Sequence, residues 1–280
     1  MRFDTLDARL GARVSGVDLN RITDDGFREI HDNFLRYGLL SFPAQSLSLD
    51  GQVAFSRRFG DLDIHLLTQY NHPQYPEIFV LSNIVVDGKP IGIADGGSYW
   101  HSDLAFQKNP AMATMLNAQE IPEGAGDTLF VNMYQAWDDL GAEWQERLLP
   151  MQAIHRYRAF EKKAERGTQV NLTEGQKAKT PDVVHPVVRT HPETGRKALF
   201  VHPGMTAEIV GLSAQESEDI LEMLFAHCTN PRYVVPYRWK KGDVIIWDNR
   251  CTMHSATTRE LPPEKRRLIY RTTIRGDVPH

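Results

Sequence analysis

His101, Asp103 and His254 together offer two imidazoles and a carboxylate, a ligand set for a metal ion. His101 and Asp103 stand two residues apart in a segment, residues 99–106, that we predict to be a strand. Side chains at this spacing on a strand point to the same face, so the distant His254 could close a third corner. Such a set leaves half of the coordination sphere open, as in the facial triad of non-haem iron sites. The same ligands also make catalytic zinc sites, so the three residues leave two metals open.

Two arginines follow His254 on one face of a predicted final strand. If residues 268–274 form that strand, Arg267 and Arg271 share a face with Ile269 and Thr273. A buried guanidinium is costly unless it meets an anion, and arginine can bind a carboxylate through two parallel hydrogen bonds. The alternative is that this face is solvated, as is usual for arginine. A buried face would indicate a metal ion beside one or two anionic ligands.

The composition predicts an ordinary globular protein with a single domain spanning residues 1–280. Of the 280 residues, 41% are hydrophobic and 24% are charged, which is enough for a sizeable core. The formal net charge of −4 gives no reason to expect nucleic acid or an anionic membrane as a partner. Cys228 and Cys251 lack the spacing of metal ligands, and two such thiols favour a reducing cytoplasm. No signal peptide and no membrane-spanning segment are expected.

The apolar patterns predict a mainly β fold with flanking helices. Helices are expected at 27–38, 48–59, 133–149 and from a capping box at Ser213–Glu216 to about Cys228. Strands are expected at 39–42, 78–81, 99–106, 113–118, 128–131, 183–190, 198–201, 243–247 and 268–274. Strand and helix do not alternate regularly, which favours an antiparallel sandwich or jelly roll over a parallel sheet. The polar segment 156–182 is predicted to be a surface excursion and a mobile lid.

Four motifs occur together in an order that resembles a known family. They are His101-Ser102-Asp103, Gly126-Asp127-Thr128, the segment 247–254 ending in His254, and Arg267 with Arg271 four residues later. The chain is identified by them as resembling the taurine dioxygenase and dichlorophenoxyacetate dioxygenase family of Fe(II)- and 2-oxoglutarate-dependent oxygenases. The resemblance covers nearly the whole chain. It implies a double-stranded β-helix, which is a cupin-like jelly roll.

The resemblance also implies a role for each matched residue. His101, Asp103 and His254 match the iron ligands, while Arg267 and Thr128 match the residues that hold the distal carboxylate of 2-oxoglutarate. The implied reaction is a hydroxylation that uses O2 and 2-oxoglutarate and releases succinate and CO2. The protein's own task would be to position a C–H bond and to exclude water.

The substrate is implied by a second group of matched residues. Arg271 matches the residue that binds the sulfonate in the taurine enzyme, and His65 matches a histidine at the same anionic head. His202 is expected to line the pocket because it follows Phe200 in a segment that could border the site. Met205 stands where an aromatic pocket residue is expected.

This chain departs from the taurine enzyme around the substrate, at Gly97, Thr68 and Met205. The expected substrate is therefore a small organic anion, namely a sulfonate, an aryloxyalkanoate or a sulfate ester. A carboxylate-bearing metabolite or an amino-acid-like molecule is the alternative, and the family implies a homo-oligomer, a dimer or tetramer. A zinc hydrolase has no need of the Arg267 and Thr128 pair, and a non-catalytic binding module has no need of the complete triad.

Overall fold

The computed structural model describes residues 1–157, 173–259 and 261–280. Its larger sheet has eight strands, in the spatial order β1 (Arg2–Thr5), β2 (Ala12–Ser15), β3 (Leu39–Phe42), β16 (Val244–Asp248), β8 (Ala111–Glu120), β18 (Leu268–Arg275), β5 (Tyr75–Ser82) and β4 (Asn71–His72). The neighbouring strands of this sheet are antiparallel except for β2 and β3, which are parallel. This sheet confirms the predicted mainly β class.

Smaller sheets lie beside the larger one. They are β15 (Val234–Tyr237), β9 (Thr128–Asn132) and β17 (Thr252–Ala256); β11 (Val183–Pro186), β10 (Gln152–His155) and β14 (Thr206–Ile209); β12 (Val188–Thr190) with β13 (Lys197–Leu199); and β6 (Val85–Val86) with β7 (Lys89–Pro90). A buried apolar cluster joins Leu116 and Trp247 of the larger sheet to Phe130 and Val235 of β9 and β15. The space between these two sheets is therefore a core, and the site described below opens from it.

The helices flank the sheets, as expected. They are α1 (Asp24–Tyr37), α2 (Leu49–Arg57), α3 (Met133–Asp138), α4 (Ala142–Leu148), α5 (Glu174–Lys177) and α6 (Ala214–Cys228), with short 3-10 turns at Leu19–Arg21, Thr68–Tyr70 and Pro231–Tyr233. The predicted capping box is confirmed, because Ser213 and Glu216 each bond the other's backbone N–H at the start of α6. No helix among the described residues is long and apolar enough to cross a membrane.

The predicted strand at 99–106 is wrong. Only His101 pairs with another strand there, through an isolated antiparallel bridge to His254, and the chain turns at Leu104 with φ of +56°. Polar contacts replace a ladder, because the Ser102 hydroxyl donates to the Asn249 carbonyl at 2.8 Å and the Asp103 N–H donates to the Asn249 side chain at 3.2 Å. The two ligands are therefore positioned by a bridge and a turn.

Two other predicted elements are each divided in two. The helix expected at 133–149 is interrupted between α3 and α4, and Gly141 is the N-cap of the second piece. The strand expected at 183–190 stops at Pro186, because proline has no N–H for a ladder, and Val187 donates instead to the Met151 carbonyl at 3.0 Å.

Most of the predicted lid, residues 158–172, lies outside the described part of the chain. The described remainder of the segment contains α5, whose Gln176 side chain donates to the Leu66 carbonyl at 3.2 Å. Arg156 and Asp182 form an ion pair across the base of the segment. The lid and the single domain both stay predictions.

Candidate metal and co-substrate site

His101, Asp103 and His254 come together in the structure as a buried cluster. One ligand atom from each residue lies within 4.8 Å of the other two. The Nε2 atoms of His101 and His254 are 3.7 and 3.8 Å from the two carboxylate oxygens of Asp103. Reciprocal backbone hydrogen bonds of 3.0 and 2.8 Å between His101 and His254 hold the two imidazoles side by side. The three predicted ligands thus have the proximity that a single metal ion requires.

Neighbouring groups orient these ligands. The Nδ1 atom of His101 lies 2.7 Å from the Tyr99 carbonyl, which directs the other ring nitrogen toward the cluster. The Thr114 hydroxyl donates to Asp103 at 2.6 Å and accepts from the Asn249 side chain at 2.9 Å. The role of Thr114 was not predicted, because nothing in the sequence near it indicates that β8 passes beside Asp103.

The charges of the cluster suit a divalent cation. Burial alone would raise the pKa of Asp103, but Arg271, His254, His101 and the Thr114 hydroxyl together hold it well below its usual range. Burial lowers the pKa of His254 to about 3, and it also lowers the pKa of His101. At neutral pH the cluster therefore presents one carboxylate and two neutral imidazoles, which are the protonation states that bind metal.

Arg267 and Thr128 border the smaller of two cavities at this cluster. The cavity has a volume of about 440 Å³, and the three predicted metal ligands also line it. Arg267 is buried, and its Nε atom has no hydrogen-bond partner among the described residues. Burial lowers the pKa of Arg267 to about 10, with Asp95 acting in the opposite direction, so the guanidinium is charged at neutral pH. A buried cation in this position fits the carboxylate of a ligand that also reaches the metal.

Thr128 is held by a tryptophan. Its hydroxyl accepts a hydrogen bond of 3.0 Å from the indole Nε1 of Trp239, and both residues are buried. Thr128 also pairs with Tyr237 across β9 and β15. Trp239 was not predicted from sequence, since only the fold brings it to Thr128.

Arg271 lines the smaller cavity and also a larger one of about 740 Å³, which Arg267 does not line. Its Nη1 atom is 3.4 Å from a carboxylate oxygen of Asp103, and its guanidinium carbon is 5.0 Å from the centre of the Phe79 ring. The half-buried His65 contacts the same ring at a centroid distance of 3.9 Å. Burial and the nearby Arg271 lower the pKa of His65 to about 3, so His65 is neutral. Its Nδ1 atom accepts from the Leu67 N–H at 3.1 Å, which leaves the Nε2–H to donate one hydrogen bond. The buried-face interpretation of the two arginines is confirmed.

The wall of the larger cavity is mostly apolar. Its aromatic lining residues are Phe79, Tyr99, Phe106 and Tyr157. Met205 and Gly97 also line it, whereas Thr68 is exposed and lies outside both cavities.

His202 does not line either of these two cavities. It is buried behind them, where its ring packs against Phe200 at 4.9 Å and against His155 at 5.7 Å. The tight turn that places Met205 on the cavity wall turns His202 inward, since the His202 carbonyl accepts from the Met205 N–H at 3.1 Å. The geometry gives no support to His202 as a substrate residue.

The sequence of residues 3–273 matches the model of the family described as "Taurine catabolism dioxygenase TauD, TfdA family". The chain belongs to this family. The match spans all four motifs and confirms the predicted resemblance.

Individual members of the TauD/TfdA family are similar along almost the full length. The chain is 32% identical to an (S)-phenoxypropionate/alpha-ketoglutarate dioxygenase of Sphingobium herbicidovorans, over 97% of this chain and 94% of that protein. It is 34% identical to an alpha-ketoglutarate-dependent 2,4-dichlorophenoxyacetate dioxygenase of a Burkholderia species, over 89% of this chain and 85% of that protein. A crystal structure of a taurine dioxygenase from Burkholderia xenovorans superimposes with a TM-score of 0.83 at 32% identity, covering 99% of this chain and 90% of that one.

These likenesses confirm two of the predictions. The fold is the jelly roll of the TauD/TfdA family, and the chain is a 2-oxoglutarate-dependent dioxygenase, which is an oxidoreductase. Its reaction therefore uses 2-oxoglutarate and O2, and His101, Asp103 and His254 form a site that could hold the metal ion.

Proposed function

We propose that the metal is Fe(II) and that the enzyme hydroxylates a small organic anion, with release of succinate and CO2. The observation that carries the proposal is the pair of buried arginines, Arg267 and Arg271, which line the cavity of the metal ligands, with Arg271 also reaching the larger cavity. A zinc hydrolase would have no use for a buried cation such as Arg267 beside the metal. An oxygenase requires an anionic co-substrate there.

Each residue near the cluster has one task. His101, Asp103 and His254 would hold the iron, which when bound supplies the activation of O2 toward a C–H bond. Arg267 would pair with the distal carboxylate of 2-oxoglutarate, with Thr128 as a second hydrogen-bonding group. This pairing leaves no buried unpaired cation once the co-substrate is in place.

Arg271 would hold the substrate by its anionic end. The guanidinium is fixed over Phe79, so it offers an anion a defined direction of approach, and His65 is near enough to add a hydrogen bond. The apolar wall of the larger cavity suits an aryl or alkyl body on that anion. Candidate substrates are a sulfonate, an aryloxyalkanoate or a sulfate ester, and the two relatives above carry the names of aryloxyalkanoate enzymes. Hydroxylation beside the heteroatom would give an unstable product that fragments.

The proposal also covers the compartment, the binding partner and the oligomeric state of the enzyme. Cys228 and Cys251 are buried free thiols, which supports a reducing compartment such as the cytoplasm. The partner would be a small molecule rather than nucleic acid or a membrane, and the working form would be a homo-oligomer.

One anaerobic titration tests the chemistry. Fe(II) and 2-oxoglutarate added together should give a weak visible absorption that neither gives alone, and admitting air should produce succinate. Absence of both signals would overturn the oxygenase assignment. Substrate choice is then tested by succinate formation with phenoxyacetate, an alkyl sulfonate and an alkyl sulfate. Stimulation only by uncharged analogues of these compounds would overturn the anionic substrate class.

A further inference from the structure

A third concavity, which we call the basic cleft, shares no residue with the two cavities at the metal cluster. It has a volume of about 480 Å³ and lies where β2 and β3 meet the loop after β15. Four of its lining residues are cations, listed in chain order as Arg13, Arg238, Lys240 and Lys241. All four are exposed. The cleft is therefore locally positive in a chain whose net charge is −4.

The cations of the basic cleft are not neutralised from within. Across residues 1–157, 173–259 and 261–280, none of the four forms an ion pair, whereas exposed arginines elsewhere pair with acids, as Arg57 does with Glu77 and Arg266 with Glu120. The carboxylate that lines the cleft, Asp243, already accepts from the Tyr237 hydroxyl and from the Lys240 N–H at 2.9 Å each. Asp127 and Glu120 interact with Arg238 and Lys241 at longer range, without forming an ion pair, so the four cations are available to a ligand.

The frame that carries these cations is fixed. Tyr237 and Trp239 are buried while Arg238 and Lys240 are exposed, so this extended segment directs two cations to one side. The turn that follows uses Gly242 at φ of +81°, and the Gly242 carbonyl accepts from the Gln45 N–H at 2.7 Å. Because the backbone is already ordered, a ligand would not have to pay for ordering it.

The basic cleft is joined to the smaller cavity at Thr128 in two ways, through the Trp239 side chain and through the pairing of Tyr237, which lines the cleft, with Thr128. Trp239, between Arg238 and Lys240, donates its indole N–H to Thr128 at 3.0 Å. Its ring packs on Tyr237 at a centroid distance of 5.0 Å. An anion that binds Arg238 and Lys240 would therefore act on the segment whose Trp239 side chain holds Thr128.

We propose that the basic cleft binds a compact anion carrying two or more negative charges, and that this binding changes the affinity for 2-oxoglutarate through Trp239 and Thr128. Guanidinium and ammonium groups recognise phosphate and carboxylate oxygens alike, so polyphosphates and polycarboxylates share the required chemistry. Binding weakens as salt is added, because the cations are exposed. The coupling rests on the proposed function of Thr128, whereas the anion site does not.

The site is tested on the metal-free protein, because polyphosphates themselves bind metal ions. Calorimetric titration with pyrophosphate at low salt should show one site, and the double variant Arg13→Gln/Lys240→Gln should weaken it by at least about tenfold. Lys197→Gln, which removes an exposed lysine on β13, is the matched control and should leave affinity unchanged. Lys241→Gln alone should give a smaller loss, so the test holds if the double variant folds poorly. A parallel titration with citrate shows whether the cleft takes carboxylates as well as phosphates.

Two results would overturn the anion site. One is unchanged pyrophosphate affinity in the double variant. The other is loss of binding only in Arg267→Ala, which would place the pyrophosphate in the co-substrate cavity.

The coupling is tested with sulfate, a dianion that binds iron weakly. The affinity for 2-oxoglutarate is measured anaerobically with Fe(II), by visible absorption, in sulfate and in chloride at equal ionic strength. A severalfold difference is expected, and it should vanish in the double variant and in Trp239→Phe, which should still bind pyrophosphate.

Equal affinities in the two salts would overturn the coupling. A sulfate effect that persists in the double variant would also overturn it, because sulfate would then be competing at Arg267 or Arg271. Failure of the absorption itself would count against the proposed function, and the pyrophosphate titration would still decide the anion site.

Discussion

The two buried arginines of the site, Arg267 and Arg271, have different surroundings. Arg267 borders the smaller cavity, and its Nε atom has no hydrogen-bond partner among the described residues. Arg271 lines both cavities, and its Nε atom also lacks a hydrogen-bond partner among the described residues, but its Nη1 atom lies 3.4 Å from a carboxylate oxygen of Asp103. The first arrangement leaves a buried guanidinium with an unbonded N–H inside the protein, which suits pairing with the carboxylate of the co-substrate. The second arrangement gives Arg271 a partner within the protein, Asp103, when no substrate is bound, which suits a group that binds the substrate.

The largest effect is expected from Arg267→Ala. Removing a buried charge-assisted pair should weaken 2-oxoglutarate binding by about 100-fold while leaving Fe(II) affinity nearly unchanged. Both constants are measured by anaerobic titration. Arg275→Ala is the matched control, because Arg275 is on the same strand but exposed and paired with Asp63. Equal losses of iron and 2-oxoglutarate would show that Arg267 supports the cluster and not the co-substrate.

A smaller and different effect is expected from Arg271→Ala. The KM for an anionic substrate should rise by about 10-fold, while the slow turnover of 2-oxoglutarate without substrate should persist. Succinate release with and without substrate separates the two quantities, and Arg275→Ala again serves as the control. If both rates fell together, the two arginines would not have separate tasks.

Gly97→Ala tests whether the close contact between Gly97 and the His101 ring is needed for metal binding. Gly97 lines both cavities at φ of +136°, and a Cβ there would lie 2.9 Å from the His101 ring. Displacing that ring should weaken Fe(II) binding by roughly tenfold. Gly211→Ala is the control for backbone strain, because Gly211 has φ of +82° with no atom within 4 Å of an added Cβ. Similar iron affinities in the two variants would mean that the closeness of Gly97 to His101 has no consequence for the metal.

The smallest effect on activity, but a measurable one on stability, comes from a histidine behind both cavities. Burial, with a smaller effect of His185, lowers the pKa of His155 from 6.5 to about 3. Below pH 6.5 the His155 side chain is therefore protonated in the unfolded chain but not in the folded chain. The contribution of His155 to the free energy of unfolding is fully present above pH 6.5. It is lost as the pH falls toward 3, at up to about 1.4 kcal/mol per pH unit. Denaturant unfolding at pH 7.5, 6 and 5 should show a shallower decline in His155→Phe, and an identical slope would contradict this origin.

The sequence predicted the chemistry better than the backbone around it. The alternation along β18 correctly placed Arg267 and Arg271 on one buried face, because a strand's period of two is visible in the residues themselves. The strand expected at 99–106 failed, since side-chain contacts with Asn249 take the hydrogen bonds that a ladder would need. Thr114 and Trp239 could not be found from local patterns, because each reaches the site from a strand or loop that only tertiary packing brings near.

The bridge between His101 and His254 has a consequence for how the site comes into being. Its two backbone hydrogen bonds join residues from distant parts of the chain, so the ligand cluster does not exist until the chain has closed the loop of His101 onto β17. A metal ion that binds this cluster binds the closed chain alone, and its binding free energy is added to the stability of that closure. The amide protons of His101 and His254 should therefore exchange with solvent more slowly once metal is added. The two hydrogen bonds between these residues would then open less often, because opening them requires the metal to leave.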